Sequence, residues 1–203
     1  KSISMKYKET SMSNVLSHAI TDTLHLGRKV EKEDFHIALT GTEDYIPHMG
    51  MVALTVHAHN EDMPICYHFF VNHLTEEEKV KLEKAAQLMH SPVEVHLIDD
   101  SAFKTLLLSD GVAAFFYRFL VAPTVAPLTD RVFYLDGDMM CRGSLAYLRN
   151  LDFQGNNVAV VSDRKEELQM KRVHTKRYFN AGMMLINVKQ WMEEGLFDDI
   201  VRR

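Results

Sequence analysis

Cysteine is almost missing from this 203-residue chain: Cys66 and Cys141 lie far apart, and neither is flanked by a partner at metal-ligand spacing. That argues against a disulfide framework and against a zinc module, and both read as buried small hydrophobes of a reducing compartment. Basic charge is also short. With 23 Lys and Arg against 28 Asp and Glu the formal net charge is −5, so the positive footprint of a nucleic-acid binder is lacking. No stretch approaches the roughly 18 consecutive apolar residues of a spanning helix, and the start KSISMKYKETSMSN leads into polar interruptions rather than a signal peptide's apolar core. These absences point to a cytoplasmic protein with no nucleic-acid partner. What remains is an ordinary globular composition, 46% hydrophobic and 25% charged, with no linker, internal repeat or low-complexity block to split it.

Periodicity organises the chain. Val15, Leu16, Ala19, Ile20 and Leu24 recur at helical spacing with Gly27 at a C-cap position, which predicts an N-terminal helical extension over residues 1–33. From residue 34 onward apolar β-rich runs alternate with helical segments: FHIALTGT (35–42), a helix within 43–60, PICYHFFVN (64–72), a helix opened by Thr75 and Glu78 at capping-box spacing, and VEVHLID (93–99). A helix around GVAAFFYRFLVAPTV, the strands RVFYLD (131–136) and NVAVVSD (157–163), a polar segment to about Arg177 and YFNAGMMLINVKQW complete the order. This is the pattern of an α/β domain with a mainly parallel central sheet flanked by helices, in which ligands bind beyond the carboxyl ends of the strands.

One run carries chemistry. In RVFYLDGDMMCRG two aspartates, Asp136 and Asp138, close an apolar strand. If the strand persists they share an orientation, and Gly137 between them leaves the backbone room for a ligand. Two converging carboxylates suit a hard divalent cation such as Mn²⁺ or Mg²⁺, which would in turn neutralise a diphosphate. The bland alternative is a solvated turn after a strand. The pair His57 and His59 falls in a helical stretch, where two-residue spacing does not chelate.

Taken with its surroundings, the run has a family resemblance. RVFYLDGDMMCRGSLAYLRNLDF, then NVAVVSD, then RYFNAGMMLINVKQW, preceded by AFFYRFLVAP, resembles the family 8 retaining glycosyltransferases over residues 34–203. Within that family it is most similar to bacterial enzymes that add glucose or galactose to the lipopolysaccharide core. The resemblance implies a GT-A type nucleotide-diphospho-sugar transferase fold, a UDP-sugar donor such as UDP-glucose or UDP-galactose, Mn²⁺ (or Mg²⁺), and a saccharide or lipid-linked saccharide acceptor. It implies that Asp136 and Asp138 hold the metal, with Asp136 also on the ribose side, and that Arg118 and Asp163 face the donor sugar. Asn180, Ala181 and Gly182 would form the floor where the sugar's reactive carbon meets the acceptor, making Asp163 and Asn180 the catalytic candidates. Read without the family, Arg118 is a surface ion-pair partner, Asp163 a helix N-cap and the Asn-Ala-Gly run a turn between strands.

Two departures qualify the resemblance. Where the family ends its first strand with an Asp that touches the nucleotide, this chain has Thr42, followed by Glu43 and Asp44, so the nucleotide contact shifts to Thr42 and Asp44. The family's third metal ligand, a His in a motif followed by Gly and Lys-Pro-Trp, has no counterpart before the sequence stops at DDIVRR, and His174 reads as a loop residue. The resemblance therefore implies a catalytic domain truncated at its C-terminus. It leaves a non-catalytic UDP-sugar-binding remnant as the alternative to an active transferase. A haloacid-dehalogenase phosphatase also opens on an apolar strand ending in Asp-x-Asp, but Met139 and the short remaining chain do not fit it. A lipid-linked acceptor would place the protein peripherally at the inner membrane, with only Arg202 and Arg203 as a basic tail.

Overall fold

Each β-rich run of the sequence becomes a strand of one seven-stranded sheet in the computed structural model, which describes residues 18–104, 113–163, 166–173 and 178–196. The strands are β1 (Ile20–Leu26), β2 (Phe35–Thr40), β3 (Ile65–Val71), β4 (Val93–Ile98), β5 (Arg131–Asp136), β6 (Val158–Ser162) and β7 (Phe179–Asn187). The helices are α1 (Ile46–Ala58), α2 (Glu76–Met89), a single turn α3 (Ser101–Lys104), α4 (Ala114–Val125), α5 (Glu166–Val173) and α6 (Val188–Glu193). In the order β1-β4-β3-β2-β5-β7-β6, the middle strands β4, β3, β2 and β5 are parallel, while β1, β7 and β6 pair antiparallel toward the two edges.

Helices cover both faces of the middle strands, which is why every residue of β2 and β3 is buried and neither strand shows polar alternation. On one face Ile37, Leu39, Tyr67, Phe69, Phe133 and Leu135 pack against Met49, Val52 and Val56 of α1 and Leu82 and Ala86 of α2. On the other, Ala38, Phe70, Val132 and Tyr134 meet Tyr117, Leu120 and Val121 of α4 and Trp191 of α6. Burying one such side chain as fully as Phe69 stabilises the fold by about 1.5–3 kcal/mol. The capping box forms as the sequence predicts. Thr75 Oγ1 accepts from the Glu78 N–H (3.2 Å) and Glu78 accepts from the Thr75 N–H (2.8 Å).

The N-terminal helix is corrected from Ile20 onward, His18 and Ala19 before it being helical. Ile20–Leu26 is a strand lying antiparallel on β4, and it belongs to the sheet rather than to an extension; residues 1–17 lie outside the described residues. Branched Ile20, Thr21 and Thr23 favour extended backbone, and the free edge of β4 offers N–H and C=O groups that a helix at this place would leave unpaired. Gly27 does adopt the left-handed conformation (φ +75°), but it ends a strand, with the Ser91 carbonyl so close that a Cβ would meet it at 2.5 Å. The polar segment after β6 contains helix α5. Cys66 is buried as expected, whereas Cys141 is half-exposed in the loop after β5.

That loop is tied to α1. Asn60, just past the end of α1, accepts from the Leu145 N–H at 2.7 Å while its amide donates to the Val56 carbonyl, and the Cys141 N–H donates to Thr55 Oγ1 at 3.1 Å.

Candidate active site

β2 continues through β3 to β4 on one side and has β5 on the other, so the sheet order changes direction between β2 and β5. In open α/β sheets ligands bind beyond the carboxyl ends of the strands at such a switch point. Here Thr40 pairs with Asp136 across that boundary, and a cleft of about 240 Å³ lies beyond them. Thr40, Gly41, Thr42 and Tyr45 line it from the β2 side, Ala114, Phe115 and Arg118 from α4, and Tyr134, Asp136, Gly137 and Asp138 from β5 and its exit.

Polar contacts converge on Asp136. Its Oδ1 accepts a 2.5 Å hydrogen bond from the Tyr134 hydroxyl and a longer one, 3.4 Å, from Arg118. The Tyr134 oxygen in turn lies 3.0 Å from Thr40 Oγ1. Burial pushes the Tyr134 phenol well above its ordinary range, so it keeps the proton it donates. Arg118 also donates to the Ala181 carbonyl at 3.1 Å, and its guanidinium carbon stands 5.2 Å from the centre of the Tyr134 ring, a cation–π distance. The Arg118 to Asp136 pair is partly solvated, so it adds on the order of 1 kcal/mol or less to stability and serves mainly to fix geometry. With Oδ1 committed, Oδ2 is the oxygen left for a ligand. It rests against Gly182, where a Cβ would approach it to 2.6 Å.

The sequence-derived candidates divide accordingly. Thr42, Arg118, Asp136 and Asp138 all line the cleft, and Ala181 and Gly182 touch its back through Arg118 and Asp136. Strand alternation does not align the two aspartates, because β5 ends at Asp136 and Gly137 begins a turn that carries exposed Asp138. Gly137 makes room for the protein itself, since a Cβ there would meet the Met49 side chain of α1 at 2.9 Å. Asp44 is exposed in the short turn before α1 and does not line the cleft. Asn180 and Gly182 sit in β7 rather than in a turn, with Asn180 Oδ1 accepting from the Gly182 N–H at 2.8 Å. Asp163, half-buried just past β6, follows Ser162, which pairs with Phe179, so it stands at the same end of the sheet as Asn180 but outside the cleft lining. His174 lies outside the described residues.

Six lining residues were not singled out from sequence: Thr40, Gly41, Tyr45, Ala114, Phe115 and Tyr134. Tyr45 (47% exposed) and Phe115 (63%) present aromatic surface at the cleft. A tyrosine three residues after Thr42 was the available signal for the first. Two carboxylates on one cleft fit a hard divalent cation, and no third Asp, Glu, His or Cys joins them in a three-ligand group among the described residues.

The sequence profile of glycosyl transferase family 8 matches residues 36–202. This chain belongs to that family. The family 8 chain is 30% identical over 175 residues to lipopolysaccharide 1,3-galactosyltransferase of Salmonella typhimurium, a match that covers 82% of this chain and 52% of that one. It is 26% identical over 183 residues to lipopolysaccharide glucosyltransferase WaaO of Escherichia coli, covering 85% and 54%. It thus spans about half the length of the curated relatives it matches. Galactosyltransferase LgtC, solved in complex with donor and acceptor sugar analogs, superposes with a TM-score of 0.68 at 22% identity, over 77% of this chain and 59% of LgtC. The shared architecture is the GT-A fold.

Proposed function

We propose that this family 8 chain carries the donor site of a retaining hexosyltransferase that moves glucose or galactose from a UDP-sugar to a saccharide acceptor of the lipopolysaccharide core. The observation that carries the reading is the cleft between β2 and β5. There Asp136 is held by Tyr134 and Arg118 with one oxygen free, beside exposed Asp138 and two exposed aromatic rings. The activities named for the relatives support the choice of sugar and acceptor.

Each residue then has a task its chemistry suits. Tyr45 and Phe115 offer flat apolar surface to the nucleobase. Thr42 offers a hydroxyl where the family offers a carboxylate, a weaker acceptor for a ribose hydroxyl. Asp136 Oδ2 and Asp138 would hold Mn²⁺ or Mg²⁺, which would supply positive charge to offset a donor diphosphate. Arg118 adds a permanent positive charge beside the same diphosphate or the sugar hydroxyls. Asp163 and Asn180, on the β6–β7 side, face the sugar. With only two carboxylates contributed by the described residues, a bound metal would need further oxygens, which a diphosphate could supply, so UDP and metal should bind together. No helix of the described residues is long and apolar enough to cross a membrane. A lipid-linked acceptor therefore calls for peripheral contact at the cytoplasmic face.

Calorimetry across UDP-glucose, UDP-galactose and UDP-N-acetylglucosamine, with Mn²⁺ and with a chelator, tests this. UDP-glucose or UDP-galactose should bind at least about tenfold more tightly with Mn²⁺, as the diphosphate otherwise faces two anions. Asp138→Asn should remove most of that dependence, and Asp163→Asn should leave it nearly intact. Equal UDP responses with metal and with chelator, in folded protein, would reduce the Asp-x-Asp to a strand end. Binding without transfer to a core oligosaccharide in the full-length protein would favour the non-catalytic alternative.

A further inference from the structure

The sheet face under α4 holds a second polar cluster, none of whose members lines the cleft. His36 on β2 stands opposite Cys66 on β3 in the parallel register, and His68, two residues on, points to the same side as Cys66. His36 is 1% exposed, and Cys66 and His68 are fully buried. One potential ligand atom from each lies within 4.8 Å of those of the other two. His68 Nε2 is the crowded point, 2.8 Å from His36 Nδ1 and 3.4 Å from Cys66 Sγ.

Hydrogen bonding satisfies the imidazoles as a chain, His36 to His68 to His96 to Thr23, but leaves His68 Nε2 with nothing to offer the Cys66 thiol. A neutral imidazole nitrogen has either one N–H or one in-plane lone pair. If His68 Nε2 is bare, His36 and Cys66 both aim a donor at a single lone pair; if it carries the proton, only one of them can accept it. The unpartnered Nε2 of His36 does not decide the matter, because it lacks a partner in either case. A cation placed among the three atoms takes one lone pair from each and removes the conflict.

We propose that His36, Cys66 and His68 bind Zn²⁺, supplying three of the four ligands this ion ordinarily takes. Two imidazoles and a thiolate are the borderline and soft donors this ion prefers over Mn²⁺ or Mg²⁺. Donors about 2.0–2.3 Å from one Zn²⁺ stand roughly 3.3–3.8 Å apart, so the 2.8 Å contact has only to open slightly. An outer set of partners is already in place. His68 Nδ1 lies 3.0 Å from His96 Nε2, and His96 Nδ1 lies 3.0 Å from Thr23 Oγ1. With His68 Nε2 on the ion, its Nδ1–H donates to His96 and the Nδ1–H of His96 donates to Thr23, which fixes both tautomers. Buried Glu94 stands opposite His68 across β3–β4 and is paired with His25 of β1. Because the three ligands are sealed, the ion enters during folding and leaves only on unfolding.

The test does not depend on the donor site. The full chain, unfolded and refolded under reducing conditions with one equivalent of Co²⁺, should develop sulfur-to-cobalt charge-transfer absorption that one equivalent of Zn²⁺ abolishes. Cys66→Ser should lose the band, whereas Cys141→Ser and Asp138→Asn should keep it. X-ray absorption on the Zn²⁺-loaded wild-type chain reads the same site without a variant: one sulfur at about 2.3 Å and nitrogens at about 2.0 Å. Chain isolated natively from zinc-supplemented cells should carry close to one zinc per molecule. A chain holding less than a tenth of an equivalent, a shell of oxygen scatterers only, or a band that follows Cys141 would overturn the assignment and leave a buried imidazole chain with no ion.

Discussion

Gly182→Ala is the sharpest probe of the donor cleft. The added methyl would stand 2.6 Å from Asp136 Oδ2 and 3.0 Å from Asn180 Oδ1, whereas ordinary contact begins near 3.4 Å. The Asp136 carboxylate must therefore retreat by about 0.8 Å, or β7 must move away from β5. Retreat is resisted at the other oxygen, where the 2.5 Å bond from Tyr134 and the contact to Arg118 hold Oδ1. Overpacking of this kind costs about 1–3 kcal/mol, equivalent to a Tm lower by roughly 2–10 °C in a chain of this size. The effect on ligand binding should be larger than that shift suggests, because the displaced oxygen is the one the proposed function gives to the metal. A misplacement near 1 Å at a working group can cost on the order of 10²-fold, so UDP–Mn²⁺ affinity measured by calorimetry should fall between about tenfold and a hundredfold. An alanine variant that is folded, has the wild-type Tm within 1 °C or so, and binds UDP–Mn²⁺ as tightly as the parent would refute the assignment of Oδ2 as the ligand-facing oxygen.

Three further outcomes follow from the same geometry. Arg118→Lys keeps the charge but cannot reach Asp136 and the Ala181 carbonyl together, so UDP–Mn²⁺ affinity should drop about tenfold in calorimetry while Tm changes little. Thr42→Asp restores the carboxylate the family resemblance places there; a charge-assisted bond to a ribose hydroxyl should tighten UDP by about tenfold, and no gain would mean that Thr42 is off the ribose path. Thr75→Ala removes the α2 cap and should cost about 1 kcal/mol by denaturant titration without altering UDP binding, since Thr75 is outside the cleft.

The middle of the fold was legible because its signals are local. Buried parallel strands write themselves as apolar runs, the α2 cap as Thr75 and Glu78, and the metal-binding candidates as a strand ending in two aspartates. Where pairing across the sheet decides, local spacing misled. Ile20 and Leu24 fit a helix as well as they fit β1, and only the open edge of β4 selects the strand. The same limit hid Tyr134, whose role depends on Asp136 two residues on and on Arg118 and Thr40 from other elements. Cys66 passed as a small buried hydrophobe because one of its neighbours in the cluster, His36, comes from another strand. Gly137 was given to a ligand because nothing in the sequence reveals that Met49 occupies its side.

The clamp between α1 and the loop after β5 divides the cleft into a stiff bank and a yielding one. Asn60 spends both ends of its amide on that loop and on its own helix, and Thr55 holds the amide of Cys141, so the ground on which Asp138 stands is braced by the core. The opposite bank, β6 and the start of β7, is a sheet edge with exposed Val160, Val161 and Phe179. If the cleft takes a donor as proposed, the β6–β7 side is the one with fewer ties to the core. Amide exchange at Leu145 and Cys141 should accordingly be slow whether or not nucleotide is bound, while the amides of 179–182 gain protection only when it is.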